Sequence, residues 1–244
     1  MDRHSTKTEI LGDTLKLIED VIEICTKAVP DSETWSSCMG ETYGPKNIIP
    51  RSEIKKVLYC VTPSSKIVEY ANKNNYDLLI GHHPFVVKGI QSLLFHTALD
   101  MCEGGLNDQW RIALNLKNAK KYQDNLGWYG EIEPTTYEDL LKKVEAFTGG
   151  IIGQKKSTNK LIRTVITCSG LGGFVQSTVN QMNPDCFITG EILSDAKTLP
   201  LESVIETGHT LSEWCGVNLF KKLLEPHGIQ VDKTPLEMDV FGKE

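Results

Sequence analysis

No stretch of the chain approaches the ~18 consecutive apolar residues that a membrane span requires, so no bilayer-crossing helix is expected. Lysine and arginine nowhere form a block. Their 26 residues face 32 acidic ones, and the net charge of -6 argues against a sequence-independent grip on nucleic acid. Cys-x-x-Cys pairs are absent. The seven cysteines (Cys25, Cys38, Cys60, Cys102, Cys168, Cys186 and Cys215) are odd in number and widely spread, which reads as reduced and mostly buried thiols. There is no Gly-x-Ser-x-Gly nucleophile elbow, and Gly170-x-Gly172-Gly173 lacks the full dinucleotide-binding spacing, so a tight turn is its first reading. The N-terminal segment lacks the profile of an export signal. Its Ile10, Leu11, Leu15, Ile18, Val21 and Ile22 recur at helical spacing among Glu9, Asp13, Glu19 and Asp20, which predicts an acidic amphipathic helix and makes the cytoplasm the expected compartment.

Histidine is also scarce, with six in 244 residues, and this makes its distribution informative. Four of the six fall in three places. His96-Thr97-Ala98-Leu99-Asp100 and His209-Thr210-Leu211-Ser212-Glu213 repeat one phrase, and Gly81-His82-His83-Pro84 ends an apolar run. Each phrase offers an imidazole and a carboxylate four residues apart, on one side of a helical turn, and first-row divalent metals accept these two ligand types together. Thr210-x-x-Glu213 is also a capping-box pattern, and Thr97-x-x-Asp100 a weaker one, each worth on the order of 1 kcal/mol without any metal. Capping does not require the histidine that precedes both threonines, and that coincidence favours metal. Adjacent strand residues point to opposite faces, so one of His82 and His83 has an alternative as a support for the other. His4 and His227 receive no role.

The length and a composition of 40% hydrophobic and 24% charged residues fit a soluble globular protein, either one α/β domain or two small lobes. Two halves are alike. Strand Val57 to Val61, a helix near Ser64 to Lys73 and strand Asp77 to Ile80 match strand Leu161 to Cys168, a helix near Phe174 to Gln181 and strand Asp185 to Ile188 without a gap. In this match Cys60 falls on Cys168, Asp77 on Asp185, Ile80 on Ile188 and His83 on Glu191. Each half continues with a strand (Gln91 to Phe95; Ser203 to Glu206), the His-Thr phrase and a helix (Leu106 to Leu116; Val217 to Leu224). The expectation is an α/β fold of two pseudo-repeated strand-helix-strand halves, about 54–118 and 161–230, with mixed, largely parallel sheets. A connector at about 119–160 carries a helix from Tyr137 to Phe147 and has room for a hairpin, all in a single domain over 1–244. Ligands collect beyond the carboxyl ends of parallel strands, where His82/His83, His96/Asp100, Glu191 and His209/Glu213 all lie, so the metal site is expected between the halves.

These residues resemble the type 2 GTP cyclohydrolase I homologues, also called the NIF-three-like dinuclear-metal proteins. Asp77-x-x-Ile80-x-His82-His83-Pro84, His96-x-x-x-Asp100, Phe187-Ile188-Thr189-Gly190-Glu191 and Gly208-His209-x-x-x-Glu213 carry the resemblance, in the family's order, over roughly Ile54 to Gln230. The resemblance implies two divalent ions per chain (zinc, iron, manganese or nickel). His83, Asp100 and Glu213 would surround one and His82 and His209 serve the other, with one carboxylate bridging and His96 a ligand or its neighbour. It further implies a toroidal homohexamer and a metal-dependent hydrolase whose substrate is a small molecule, a nucleotide-like one that the family's name equates with GTP. Lys88 would meet the substrate phosphate. Two departures stand out: only Phe85 to Phe95 separate the His-His-Pro and His-x-x-x-Asp motifs, where the family usually carries a further helix, and Trp35-Ser36-Ser37-Cys38-Met39-Gly40 replaces Trp-Asp-Asn before a glycine. The rival reading is a metal-binding regulatory or scaffold protein with little turnover.

Overall fold

The apolar runs that flank the histidines form parallel ladders, because their side chains are buried on both faces. The computed structural model describes residues 16–30, 44–122, 126–156, 160–192 and 200–239. In the first half, β1 (Gly44–Lys46), β2 (Lys56–Cys60), β3 (Leu78–Gly81) and β4 (Ser92–Leu94) are joined by a late strand, here β11 (Gln230–Lys233). They form a five-stranded sheet in the order β1-β4-β3-β2-β11. Only the β1 pairing is antiparallel. Helix α1 (Ile18–Ala28) buries Ile18, Val21 and Cys25 against this sheet's core. Helix α2 (Ser65–Lys73) follows β2 and starts where the Ser64 hydroxyl accepts the Ile67 N–H.

Helices α3 (Thr97–Met101) and α4 (Leu106–Leu114) lead into the connector. The expected hairpin is β5 (Lys117–Tyr122) with β6 (Gly127–Thr135), followed by α5 (Tyr137–Thr148) and β7 (Gly153–Lys156). The second half supplies β8 (Ile162–Leu171), α6 (Gln176–Met182), β9 (Cys186–Glu191), β10 (Ser203–Glu206), α7 (His209–Glu213) and α8 (Val217–Leu224). The six-stranded sheet has the order β5-β6-β8-β9-β10-β7. Its parallel centre is β8-β9-β10, and the connector strands flank it antiparallel, so this sheet is more mixed than the first.

The internal repeat extends to single hydrogen bonds. Asp77 Oδ2 accepts the backbone N–H groups of Lys55 and Lys56 at 2.9 and 2.8 Å, and Asp185 Oδ2 accepts those of Arg163 and Thr164 at 2.8 and 2.9 Å. Register repeats as well: Val57 pairs with Leu78 as Val165 pairs with Cys186. Beyond the His-Thr phrases, however, the halves exchange helices. Trp110 and Leu114 of α4 pack with Leu140 of the connector and with Val165 and Ile188 of the second half, whereas Leu219, Phe220 and Leu224 of α8 pack with Val57, Tyr59 and Leu93 of the first. The carboxyl ends of the two parallel ladders meet, since side chains that follow β3 and β10 come within 3.2 to 3.5 Å of one another. The N-terminal helix runs from Ile18 to Ala28; the residues expected to begin it near Ile10, together with Cys38 and the Trp35 to Gly40 stretch, lie outside the described residues. Among the described residues no helix is long and apolar enough to cross a membrane.

Candidate metal centre

Each polar cluster sits just past a strand end. His82 and His83 follow β3, His96 follows β4, Glu191 closes β9, and His209 and Glu213 are the first and last residues of α7 after β10. Neither His-Thr phrase acts as a cap: α3 and α7 start without a side-chain capping bond, at His96 and Gly208. The carboxylates turn toward the imidazoles instead. Glu213 Oε1 lies 3.5 Å from His82 Nε2 and 3.3 Å from His209 Nε2, Glu213 Oε2 lies 3.2 Å from His83 Nε2, and Asp100 Oδ1 is 3.9 Å from His82 Nε2. The His82 and His96 rings are 4.8 Å apart between centroids, and those of His83 and His209 are 5.2 Å apart.

All six sequence-derived residues therefore converge. Their donor atoms form three trios, His82/His83/His96, His83/His209/Glu213 and His82/Asp100/Glu213, with every separation inside a trio within 4.8 Å. Four bonds of about 2.0–2.2 Å to one ion would set ligand atoms about 3.3–3.6 Å apart, so small side-chain movements close each set. Glu213 belongs to two trios. His82 keeps company with Asp100, and His209 with His83. Glu191, the repeat partner of His83, stays one step outside: its Oε1 is 3.9 Å from His209 Nδ1.

The chemistry of these donors fits a cation. His82 Nδ1 is 3.0 Å from the Phe95 carbonyl oxygen, which can only accept, so Nδ1 carries a proton and Nε2 faces the cluster. His82 Nε2 and Glu213 Oε2 are both buried without an aligned hydrogen-bond partner, although oppositely chargeable atoms lie close by. Burying such atoms unsatisfied costs about 1–3 kcal/mol each, which a shared cation removes. Without a metal the charges crowd. Burial opposes the charge on His82, but Glu213 and Asp100 outweigh it and raise its pKa to about 9. Burial and the neighbouring His82 and His83 hold His96 down at about 3, and burial lowers His83 against the pull of Glu213. Burial, reinforced by the Glu213 charge, raises Asp100 to about 7. Burial opposes charge on Glu213 too, yet the surrounding histidines hold it well below the usual carboxylate range.

Sequence reading missed the supports of this cluster. Thr62 Oγ1 lies 2.6 Å from His83 Nδ1 and fixes that ring. Asp239, fully buried near the C-terminal end of the described chain, accepts the N–H groups of Val61 and Thr62 at 2.6 and 2.7 Å. Asn107 Nδ2 donates to the Asp100 carbonyl oxygen and its Oδ1 accepts the Ser169 N–H. Thr62 was within reach of the strand-end rule, since it follows β2 as His83 follows β3. Thr62→Val is expected to keep the fold and lower metal affinity about 10–100-fold, read by titration against a chromophoric chelator. Unchanged affinity would show that His83 needs no such anchor.

A cavity of about 690 Å³ opens over the cluster, lined by His83, His96, Asp100, Glu191, His209 and Glu213 with Thr62, Asn107 and an apolar wall. Lys88 is exposed and does not line it. Gly170 to Gly173 do not form the expected tight turn: Gly170 lies at an irregularity near the end of β8, where its N–H donates to Ser212 Oγ at 2.8 Å, and Gly172, closed in by Thr189 and Phe187, opens a short 3-10 helix to Val175. Cys168 also lines the cavity, but burial pushes its thiol well up, away from a thiolate ligand.

The model of the Duf34/NIF3 (NGG1p interacting factor 3) family matches residues 47–95 and 87–239. A GTP cyclohydrolase 1 type 2 homolog from Methanocaldococcus jannaschii is 28% identical over 199 residues, which span 70% of this chain and 80% of that protein. Two solved structures share the fold. Reduced HcgD from the same organism superposes with a TM-score of 0.74 at 23% identity, covering 90% of this chain and 98% of the other. A hypothetical protein from Staphylococcus aureus gives 0.74 at 19%, covering 95% and 100%. With a family model matched across both halves and the repeated strand-end motifs converging on one cluster of possible metal ligands, the chain belongs to the Duf34/NIF3 family.

Proposed function

We propose that this chain is a dinuclear-metal hydrolase acting on a nucleotide-like small molecule. The observation that carries the reading is Glu213, a buried carboxylate shared by two donor trios on the floor of a ligand-sized cavity. In this assignment His82, Asp100 and Glu213 hold one ion and His83, His209 and Glu213 the other, with His96 completing the first set beside His82. Donors of imidazole and carboxylate type suit zinc, iron, manganese or nickel. Bound there, a pair of divalent cations lowers the pKa of water toward neutrality and polarises the bond under attack. The chain's own residues do the rest. Thr62 and the Phe95 carbonyl orient His83 and His82, Glu191 steadies His209, and the apolar wall excludes bulk water. In the reaction that gives the curated relatives their name, water would attack the imidazole carbon of the purine and formate would leave. We further assign the chain as one domain over 1–244, assembled as a toroidal hexamer in the cytoplasm.

Formate release from GTP by protein reconstituted with each of the four metals tests the hydrolase. A folded protein holding about two ions per chain that turns over with none of them would instead be a metal-binding scaffold. Acid should empty the centre. His82 is protonated below about 9 in the metal-free protein and Asp100 titrates near 7, so an entering ion must displace protons from both. Affinity is then expected to fall about tenfold for each pH unit from 9 to 7, and more steeply below 7. Zinc titrations at pH 6, 7, 8 and 9 read this slope, and a pH-independent affinity would remove His82 from the ligand set.

A further inference from the structure

The cavity over the cluster has a wall that metal binding does not use. Pro84 and Phe85 follow the histidine pair, while Leu171 ends β8 and Phe174 and Val175 follow it. Phe174 is 76% exposed, the most exposed large apolar side chain among the described residues, and Phe85 is 41% exposed. Aromatic rings left open at the mouth of a cavity bind flat partners well, since every aromatic heterocycle offers a face to stack on.

Two further observations narrow the partner. Ser169 lines the same cavity, is 7% exposed, and its hydroxyl is buried behind the cavity surface with no hydrogen-bond partner, so a turn about its side-chain bond would offer an unused polar group to the edge of a ligand. Among the described residues lining the cavity there is no lysine or arginine, whereas Asp100, Glu191 and Glu213 bring three carboxylates. Recognition of a polyphosphate ordinarily uses cationic side chains or a cradle of backbone N–H groups, and the Gly170 N–H is committed to Ser212.

We propose that Phe85, Phe174 and Ser169 form a subsite for an uncharged planar heteroaromatic ring, such as the base of an unphosphorylated nucleoside, and that this ring, rather than a phosphate, is what the described lining of the cavity recognises. The inference rests on the hydrolase reading and narrows its substrate from a nucleoside triphosphate to the ring itself. The two rings hold the heterocycle by its faces, and the Ser169 hydroxyl bonds its edge while presenting it to the metal cluster.

The test is calorimetric binding of guanosine, adenosine, cytidine, GTP and inorganic tripolyphosphate to zinc-loaded protein, with zinc content checked before and after each titration. At least one nucleoside is expected to bind, with GTP no tighter than guanosine and tripolyphosphate unable to displace the nucleoside. Phe174→Ala should weaken nucleoside binding about tenfold at unchanged zinc content, and Ser169→Ala should weaken it several-fold. The proposal is overturned if no nucleoside binds, if GTP binds tenfold tighter than guanosine, if tripolyphosphate competes on zinc-retaining protein, or if Phe174→Ala changes nothing. Phe174-dependent nucleoside binding by a protein that takes up no metal would sustain the subsite and remove the hydrolase reading, so the two fail separately.

Discussion

Glu213→Gln is expected to leave a folded protein that retains far less than half of the wild-type metal. The substitution keeps the shape of the side chain and one acceptor oxygen, so the packing of α7 against β8 and β9 is preserved. What it removes is, among the described residues, the only carboxylate common to two donor trios, whose oxygens approach His82, His83 and His209 within 3.2 to 3.5 Å. A ligand's supporting partner is worth about 10–100-fold in metal affinity, and a shared ligand should exceed that. Glu191→Gln is the comparison. Its carboxylate belongs to none of the three trios and lies 3.9 Å from His209 Nδ1, so its effect should stay within the supporting range. Elemental analysis beside far-UV circular dichroism reads both variants. Wild-type metal content in folded Glu213→Gln protein would sink the shared-carboxylate centre and return the His-Thr phrases to ordinary helix starts.

The reason so much of this site could be read from sequence lies in parallel-sheet geometry. A parallel strand buried on both faces is a short unbroken apolar run, and its carboxyl end is where a polar side chain meets a ligand, so His82, His83, Glu191 and His209 were marked by position as much as by type. The repeat added a second reading of the same rule, and Asp77 and Asp185 show it holding at the level of single backbone bonds. The exchanged helices were not legible. Amphipathic spacing in α4 and α8 tells which face is buried but not which sheet receives it, and both cross to the other half. Strand β11 is equally silent, since its four residues bury only Val231 while pairing in parallel with β2. Supports such as Thr62 and Asp239 act through individual hydrogen bonds to a ring or to backbone N–H groups, and a bond between residues 177 positions apart leaves no periodic trace. The capping pattern Thr210-x-x-Glu213 shows the converse: a local signal was present, and the metal-side geometry overrode it.

Gly170→Ala should empty the centre without altering a single donor. Gly170 has φ +59°, and a Cβ there would drive into the Glu213 carboxylate and come within 3.0 Å of His209 Nε2. Its N–H is held by Ser212 of α7, and its backbone also closes in on Gly190, so this backbone cannot back away without moving β9 or α7. The added methyl group therefore displaces Glu213, the side chain on which both ions depend in this assignment. Left-handed backbone also costs a non-glycine residue about 1–2 kcal/mol, which must be separated from the steric effect. Gly89→Ala provides the separation, because Gly89 has φ +84° and open space around it. In urea unfolding of the metal-free protein Gly89→Ala is expected to lose about 1–2 kcal/mol and Gly170→Ala at least as much, while Gly170→Ala alone loses most of its metal. Equal metal retention in the two variants would mean that Glu213 can leave its place without cost to the ions, and the compact donor set would then be a feature of the metal-free protein only.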